Sequence, residues 1–257
     1  MNTLDELFAR TLSGSYDDDK PWEAVRELQT IGSREVFERA ALWCRSDDAL
    51  KRARGANVLA QLGSTAEHPT NTYADESFAI VAQLAETEQS DLPLNSAIYA
   101  LGHIRDLRGM PIIAMHSAHP NADIRHAVAF ACGCFGKEKL SVETLLTLIR
   151  DDDSDVRDWA TFGLGTLSDS DSPEIREAFV GGLSDTDEDV RGEALVGLAR
   201  RKDLRVLPIL ISRFKQAEMD DWTVEAASWM LDLPNLAPEW EAREFIAALN
   251  ERFAKPD

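Results

Sequence analysis

Asp151-Asp152-Asp153-Ser154-Asp155-Val156-Arg157-Asp158-Trp159-Ala160-Thr161-Phe162-Gly163-Leu164-Gly165-Thr166-Leu167 is the stretch from which the fold can be read. Counted from Val156, it has a β-branched apolar residue at 0, arginine at +1, a small residue at +4, apolar residues at +8 and +11, and glycine at +9. Positions 0, 4, 8 and 11 fall on one face of a helix. The aspartates ahead of Val156 supply N-cap candidates and negative charge at a helix start, where both are favoured.

The same template recurs on either side. Ile124, Arg125, Val128, Cys132, Gly133 and Phe135 fill it. Val190, Arg191, Ala194, Leu198 and Ala199 fill it as far as +9, but Arg201 stands at +11. Looser copies begin at Lys20, Lys51, Pro93 and Trp222, so the starts lie 31–34 residues apart apart from one gap of 42. A second amphipathic run precedes each turn, as in Val142–Ile149 and Pro173–Val180, where Pro173 suits a first helical turn. The unit is therefore helix A, acidic turn, helix B, repeated about seven times. The long gap predicts an insertion near 64–74 ahead of a helix A over 75–86. Residues 238–253 (PEWEAREFIAALNERF) predict a closing helix, followed by a tail at 254–257. One solenoid over 1–253 is expected, because a single helix pair cannot bury its stripe and stacked neighbours can. Small residues at +9 (Gly102, Gly133, Gly165) and +7 (Ala100, Ala131, Gly163, Gly197) are placed to let helices approach closely.

The pattern Asp-x-x-Val-Arg-x-x-Ala-x-x-x-Leu-Gly of Asp153–Gly165, varied in Asn121–Gly133 and Asp187–Ala199, resembles the HEAT repeat, in the short form named after phycobilisome lyases. The resemblance covers roughly residues 15–235. It implies an all-α fold, an α-solenoid wound as a right-handed superhelix of about seven HEAT-like helix pairs with the B helices on its concave side. It also implies that the turn aspartate pairs between repeats with the arginine at +1, here Arg125, Arg157 and Arg191. The first two copies and the last depart from the motif, as terminal caps do.

Composition narrows the function. Among 257 residues, 46 Asp and Glu oppose 27 Lys and Arg, for a formal charge of −19. That balance disfavours tracking a nucleic-acid backbone or binding an anionic membrane, and no apolar run reaches the length of a membrane span. Three cysteines, Cys44, Cys132 and Cys134, leave one unpaired in any disulfide scheme, which favours a reducing compartment; the N-terminal MNTLDELFAR has no signal-peptide character. A cytoplasmic protein is expected.

Catalytic constellations are scarce. His116 and His119 have half the spacing of a metal site but lack partners of matching type. The HEAT-fold deoxyhypusine hydroxylases hold iron through His-Glu pairs, whereas here Ala127 follows His126 and no His-Glu dipeptide occurs. Cys132 and Cys134 point in different directions on a helix. There is no Gly-x-Ser-x-Gly and no Walker loop. No metal or cofactor is expected, and no catalytic centre.

Two features remain. The A–B turns hold 18 acids and neither lysine nor arginine across windows 17–19, 47–48, 91, 123, 151–155, 185–189 and 218–221. Asp151, Asp152, Asp153, Asp155, Asp185, Asp187, Glu188 and Asp189 exceed what capping requires and predict an acidic rim. Template positions +2, +3, +6 and +10 are expected on the concave side, where Asn95, Tyr99, His103, His126, Phe130, Asp158, Trp159 and Phe162 would line a groove. Tyr99, Phe130 and Phe162 would form an aromatic row along it, with the composition of an interface hot spot. The expected function is binding of a basic protein partner, with shielding or inhibition of it in the manner of an immunity protein. The alternatives are a general assembly scaffold or an enzyme of the HEAT-like lyase class acting on a prosthetic group.

Overall fold

The computed structural model describes residues 3–233 and 240–253. Among these residues every regular element is helical. The chain divides into two compact units, Met1–Phe135 and Gly136–Asp257.

In unit 1 the A and B helices alternate as the template requires: α1 (Leu4–Thr11) and α2 (Asp19–Ile31), α3 (Arg34–Trp43) and α4 (Ala49–Ala60), α5 (Ala74–Thr87) and α6 (Asp91–Ile104), then α7 (Met110–Ala114) and α8 (Ala122–Gly133). Each A helix packs on its own B helix, and α2, α4, α6 and α8 pack in succession. Unit 2 repeats the plan with α9 (Lys139–Leu148) and α10 (Ser154–Phe162), α11 (Pro173–Gly182) and α12 (Glu188–Arg200), α13 (Leu207–Lys215) and α14 (Asp221–Leu231). There α10, α12 and α14 pack in succession, and α15 (Ala242–Phe253) packs on α13 and α14. Of the predicted closing segment 238–253, residues 238 and 239 lie outside the described residues, as does the tail 254–257. Residues 61–73 connect α4 to α5 without a helix, held by Thr72 N donating to Leu62 O (2.8 Å) and Asn71 Nδ2 donating to Leu59 O (2.6 Å).

The buried stripe follows the template. Ile124, Val128 and Cys132 in α8, Val156 and Ala160 in α10 with Leu164 just beyond it, and Val190, Ala194 and Leu198 in α12 are all sealed from solvent. Close approach comes where small residues face each other, +9 against +7. A Cβ on Gly102 would stand 2.9 Å from the Ala131 Cα, and Gly165 meets the Gly197 Cα in the same relation.

The turns show why arginine recurs at +1. Arg52, Arg125, Arg157 and Arg191 each turn Nη1 back onto two carbonyls of their own A–B turn: Ser46 and Asp47, His119 and Pro120, Asp151 and Asp152, Asp185 and Thr186. Helix A leaves its last carbonyls without intrahelical partners, and this clamp satisfies carbonyls just past that end. Arg157 also forms a bidentate pair with Asp185 of the next turn (2.8 Å and 2.8 Å). Arg52 does the same with Glu88 (2.6 Å and 3.0 Å). These are the inter-repeat pairings that the family resemblance implies at Arg157, with Arg52 joining them from a copy that departs from the motif.

The template fails after Phe162. A continuous helix through Leu167 is expected, but α10 ends at Phe162 and residues 163–167 form one π-helical turn, leaving Leu167 45% exposed. The wider turn loosens its carbonyls from the helical ladder. Arg201, the residue that breaks the template at +11, accounts for them. Its guanidinium donates to the carbonyls of Leu164, Gly165, Ser168, Ser170 and Gly197 at 2.6–3.2 Å and lies 4.9 Å from the Phe179 ring centroid.

Candidate functional site

In unit 1, Asn95, Tyr99 and His103 recur every four residues along α6 and so share a face, as do His126 and Phe130 on α8. The structure brings these five together. The Tyr99 hydroxyl hydrogen-bonds His126 Nδ1 at 2.7 Å, and Phe130 lies with its centroid 4.9 Å from Tyr99 and 5.1 Å from His103. Asn95 donates from Nδ2 to the Asp123 carbonyl at 2.9 Å. The rings are half-buried and His103 is exposed, so this face is neither core nor bare surface. Burial, with the charge of Asp123, pushes the Tyr99 hydroxyl up to about 12, which keeps it neutral. At +3, however, Ser96 and Ala127 are sealed inside, so that position is not open in these two repeats.

This face borders a cavity of about 620 Å³. Its far wall consists of Tyr16, Trp22, Gln29 and Asn57, residues that the sequence reading did not single out because the first two copies depart from the motif. A signal was present: the +6 column that contains Tyr99 and Phe130 lands on Asn57 when carried back to the start at Lys51. Tyr16 links the walls, since its hydroxyl bonds Ser96 Oγ (2.8 Å) and accepts from Asn57 Nδ2 (2.8 Å). Behind it Arg54 is 1% exposed, stacked 4.1 Å from the Tyr16 ring and 4.9 Å from Trp22. It donates to the carbonyls of Thr11 and Tyr16.

Unit 2 carries the other predicted residues. Trp159 meets Phe162 edge-on at 5.7 Å. Of the predicted row, Tyr99 and Phe130 are in ring contact within unit 1, and Phe162 is in ring contact with Trp159 within unit 2. Asp158 Oδ1 is buried without a hydrogen-bond partner. Burial first, then the charges of Asp189, Asp187 and Asp155, raise this carboxyl to about 6. Glu193 of α12 was not foreseen. It accepts from Trp222 Nε1 at 3.2 Å, and burial together with Asp158, Glu225 and Asp189 raises it to about 7 despite that bond. Trp222 reaches it because Gly192 has no side chain; a Cβ there would lie 2.3 Å from the indole. On the next helix Glu225 accepts from Trp229 Nε1 at 3.1 Å, and Arg200 stacks 4.4 Å from the Trp229 centroid. The +3 column, closed at Ser96 and Ala127, is only partly buried here and carries Trp159, Glu193 and Glu225.

The rim residues divide into two groups. Asp153 and Asp187 are N-caps, accepting from Asp155 and Val156 and from Asp189 and Val190. Asp151 and Asp185 accept from the amides of Asp153 and Asp187, and the Arg157 pair holds the Asp185 carboxyl below its ordinary range. These four are spent on the turns, which corrects the expectation that the whole cluster exceeds structural need. Asp152, Asp155, Glu188 and Asp189 are the exposed ones.

The histidines considered for metal are engaged with backbone: His116 Nε2 with Ala85 O (3.2 Å) and His119 Nδ1 with the Asn121 amide (3.2 Å). Burial pushes the Cys44 thiol up to about 12, which leaves it unreactive. No helix among the described residues is long and apolar enough to cross a membrane.

Comparison with known proteins matches residues 142–232 to the family model for HEAT repeats. The protein YibA of Escherichia coli strain K12 is 29% identical over 236 residues, 89% of this chain and 80% of YibA. The X-ray structure of the E. coli YibA protein superposes with a TM-score of 0.72 at 26% identity, over 96% of this chain and 92% of that one. Two more distant structures share the fold. A designed armadillo repeat protein in complex with peptide (KR)4 has a TM-score of 0.53 at 12% identity, over 77% of this chain and 98% of that one. The complex of CpcE and CpcF of phycocyanin lyase from Nostoc sp. PCC7120 has a TM-score of 0.50 at 14% identity, over 98% of this chain and 95% of its matched chain.

Proposed function

This chain is a HEAT-repeat protein, and we propose that it works by recognition, binding a basic protein partner through the open faces of its B helices and the exposed acids of its turns. The observation that carries this reading is the Asp158–Glu193 pair. Two carboxyls are held at about 6 and about 7 by burial and by nearby acids, Asp189, Asp187 and Asp155 for Asp158, and Asp158, Glu225 and Asp189 for Glu193, with an indole against Glu193. An incoming ammonium or guanidinium relieves that repulsion and restores the ionised forms. A formal charge of −19 adds steering of a cationic partner toward the surface and repels nucleic acid. Support from the fold comes through the armadillo-repeat neighbour, whose own ligand is a peptide of alternating lysine and arginine.

In its sharper form the proposal is that binding shields or inhibits the partner, as an immunity protein does with a toxin that acts on nucleic acid. A cationic surface built for phosphates would meet the exposed carboxylates of Asp152, Asp155, Glu188 and Asp189 instead. Three cysteines, two of them buried, fit work in the cytoplasm.

Calorimetric titration with a (Lys-Arg)4 peptide at low and high salt tests the reading. It predicts binding at low salt that weakens at least tenfold on raising the salt. Equal affinity for a (Glu)8 peptide, or no binding at any salt, would rule it out.

A further inference from the structure

We propose that the cavity of unit 1 is a receptor for a single arginine side chain of the partner, with the guanidinium seated between Asp91, Asp123 and the Asn95 amide oxygen. This rests on the reading of a basic partner and assigns the cavity its part in it.

The bonding of the walls decides the ligand. Asn57 donates one amide hydrogen to the Tyr16 hydroxyl, Gln29 one to the Asn57 carbonyl, Asn95 one to the Asp123 carbonyl, and Asn121 one to Asp91. Asn121 also uses its oxygen, on the Asp123 amide. Asn57, Gln29 and Asn95 each keep an amide oxygen able to accept a hydrogen bond. Asp17, Asp91 and Asp123 add carboxylates, and among the described residues no lysine or arginine is in the lining. Three carboxylates and no cation match a positively charged ligand with several donors. An anion is repelled there.

Size and charge refine the choice. A volume of about 620 Å³ lies within the range of small-ligand sites and accommodates a long side chain with a little flanking backbone. Arginine presents five donors in a planar fork, suited to acceptors spread over two helices and to stacking on an aromatic ring such as Tyr99, whereas lysine concentrates three donors at one point. Arg54 fixes the direction of entry. Its guanidinium, closed off behind Tyr16 and Trp22, puts positive charge at that end, so the incoming cation is driven to the opposite wall, where α6 and α8 begin.

The test is a nuclear magnetic resonance titration of the 15N-labelled full chain with Nα-acetyl-arginine amide, its neutral isostere Nα-acetyl-citrulline amide, and (Lys-Arg)4. Arginine amide is expected to shift the Trp22 indole and the amides of Asn95 and Asp123, and citrulline amide to bind about tenfold more weakly or worse. Asp91→Asn with Asp123→Asn preserves the hydrogen-bonding shape and is expected to weaken arginine amide about tenfold, with only a small drop in melting temperature from the loss of charge at two helix starts. Asp123→Asn alone serves if the double variant does not fold. Equal binding of citrulline amide, or arginine shifts confined to other regions, overturns the cavity assignment. If (Lys-Arg)4 still binds in a salt-sensitive way in that event, the basic-partner reading survives. If (Lys-Arg)4 fails as well, both fall.

Discussion

The open faces of the two units are built on one template, yet they treat their charges in opposite ways. In unit 1 the acids nearest the site, Asp91 and Asp123, stand in the first turns of α6 and α8, and the inner positions hold Asn95, Tyr99, His126 and Phe130. In unit 2 acids stand farther in, where Asp158, Glu193 and Glu225 approach one another among indoles. A carboxylate at a helix start is stabilised by the free amides there. One turn inward it loses water without gaining those amides, and its proton affinity rises. Register within the repeat, more than the number of acids, therefore decides which carboxylates have a raised proton affinity.

The comparison can be broken most forcefully at Arg201. Arg201→Ala removes the guanidinium that serves five carbonyls of unit 2, and is expected to cost about 3 kcal/mol, read by urea denaturation. Hydrogen exchange should then rise around residues 163–170 while α4 and α6 keep their protection. Next comes Arg157→Ala, which deletes both the clamp on its own turn and the bidentate pair with Asp185. The expected loss is about 2 kcal/mol, and Asp185→Asn should remove most of the difference between the two proteins if the pair is the main contribution. The smallest effect is expected from Tyr99→Phe, about 1 kcal/mol or less, because His126 remains able to turn toward solvent; a larger loss would show that the unit 1 face is a structural element rather than an open one.

Much of the fold was legible from Val156–Leu167 because stacking forces periodicity: the stripe at 0, +4 and +8 is buried, and the small residues at +9 and +7 meet as their spacing suggests. Arg201 was visible only as a departure, since four of its acceptors, Leu164, Gly165, Ser168 and Ser170, lie in or just after a π-turn of the preceding repeat that no pattern of apolar residues announces. The acidic rim was over-read for a related reason. A string such as Asp151–Asp155 looks like surplus charge until hydrogen bonds show that Asp151 and Asp153 shape the turn. Tyr16, Trp22 and Asn57 escaped notice because the terminal repeats have drifted from the motif, and Glu193 and Glu225 because the +3 column, though expected on the open side, was read only as far as Trp159.

The pH dependence of stability follows from the raised carboxyls. With folded values near 6 and 7, Asp158 and Glu193 bind more protons folded than unfolded. The native state therefore gains stability from them as pH falls from about 8 toward 5, and loses it as pH rises through their folded values. Ligand binding has the opposite sign, since a cation requires the ionised forms. The most direct measurement is the affinity of (Lys-Arg)4 at pH 8 and pH 5 at fixed low salt, for the wild type and for Asp158→Asn with Glu193→Gln. The account predicts binding that falls about tenfold or more between pH 8 and pH 5, and a double variant that binds weakly with little pH dependence. A wild type that binds equally at both pH values, or a double variant with undiminished affinity, would contradict it.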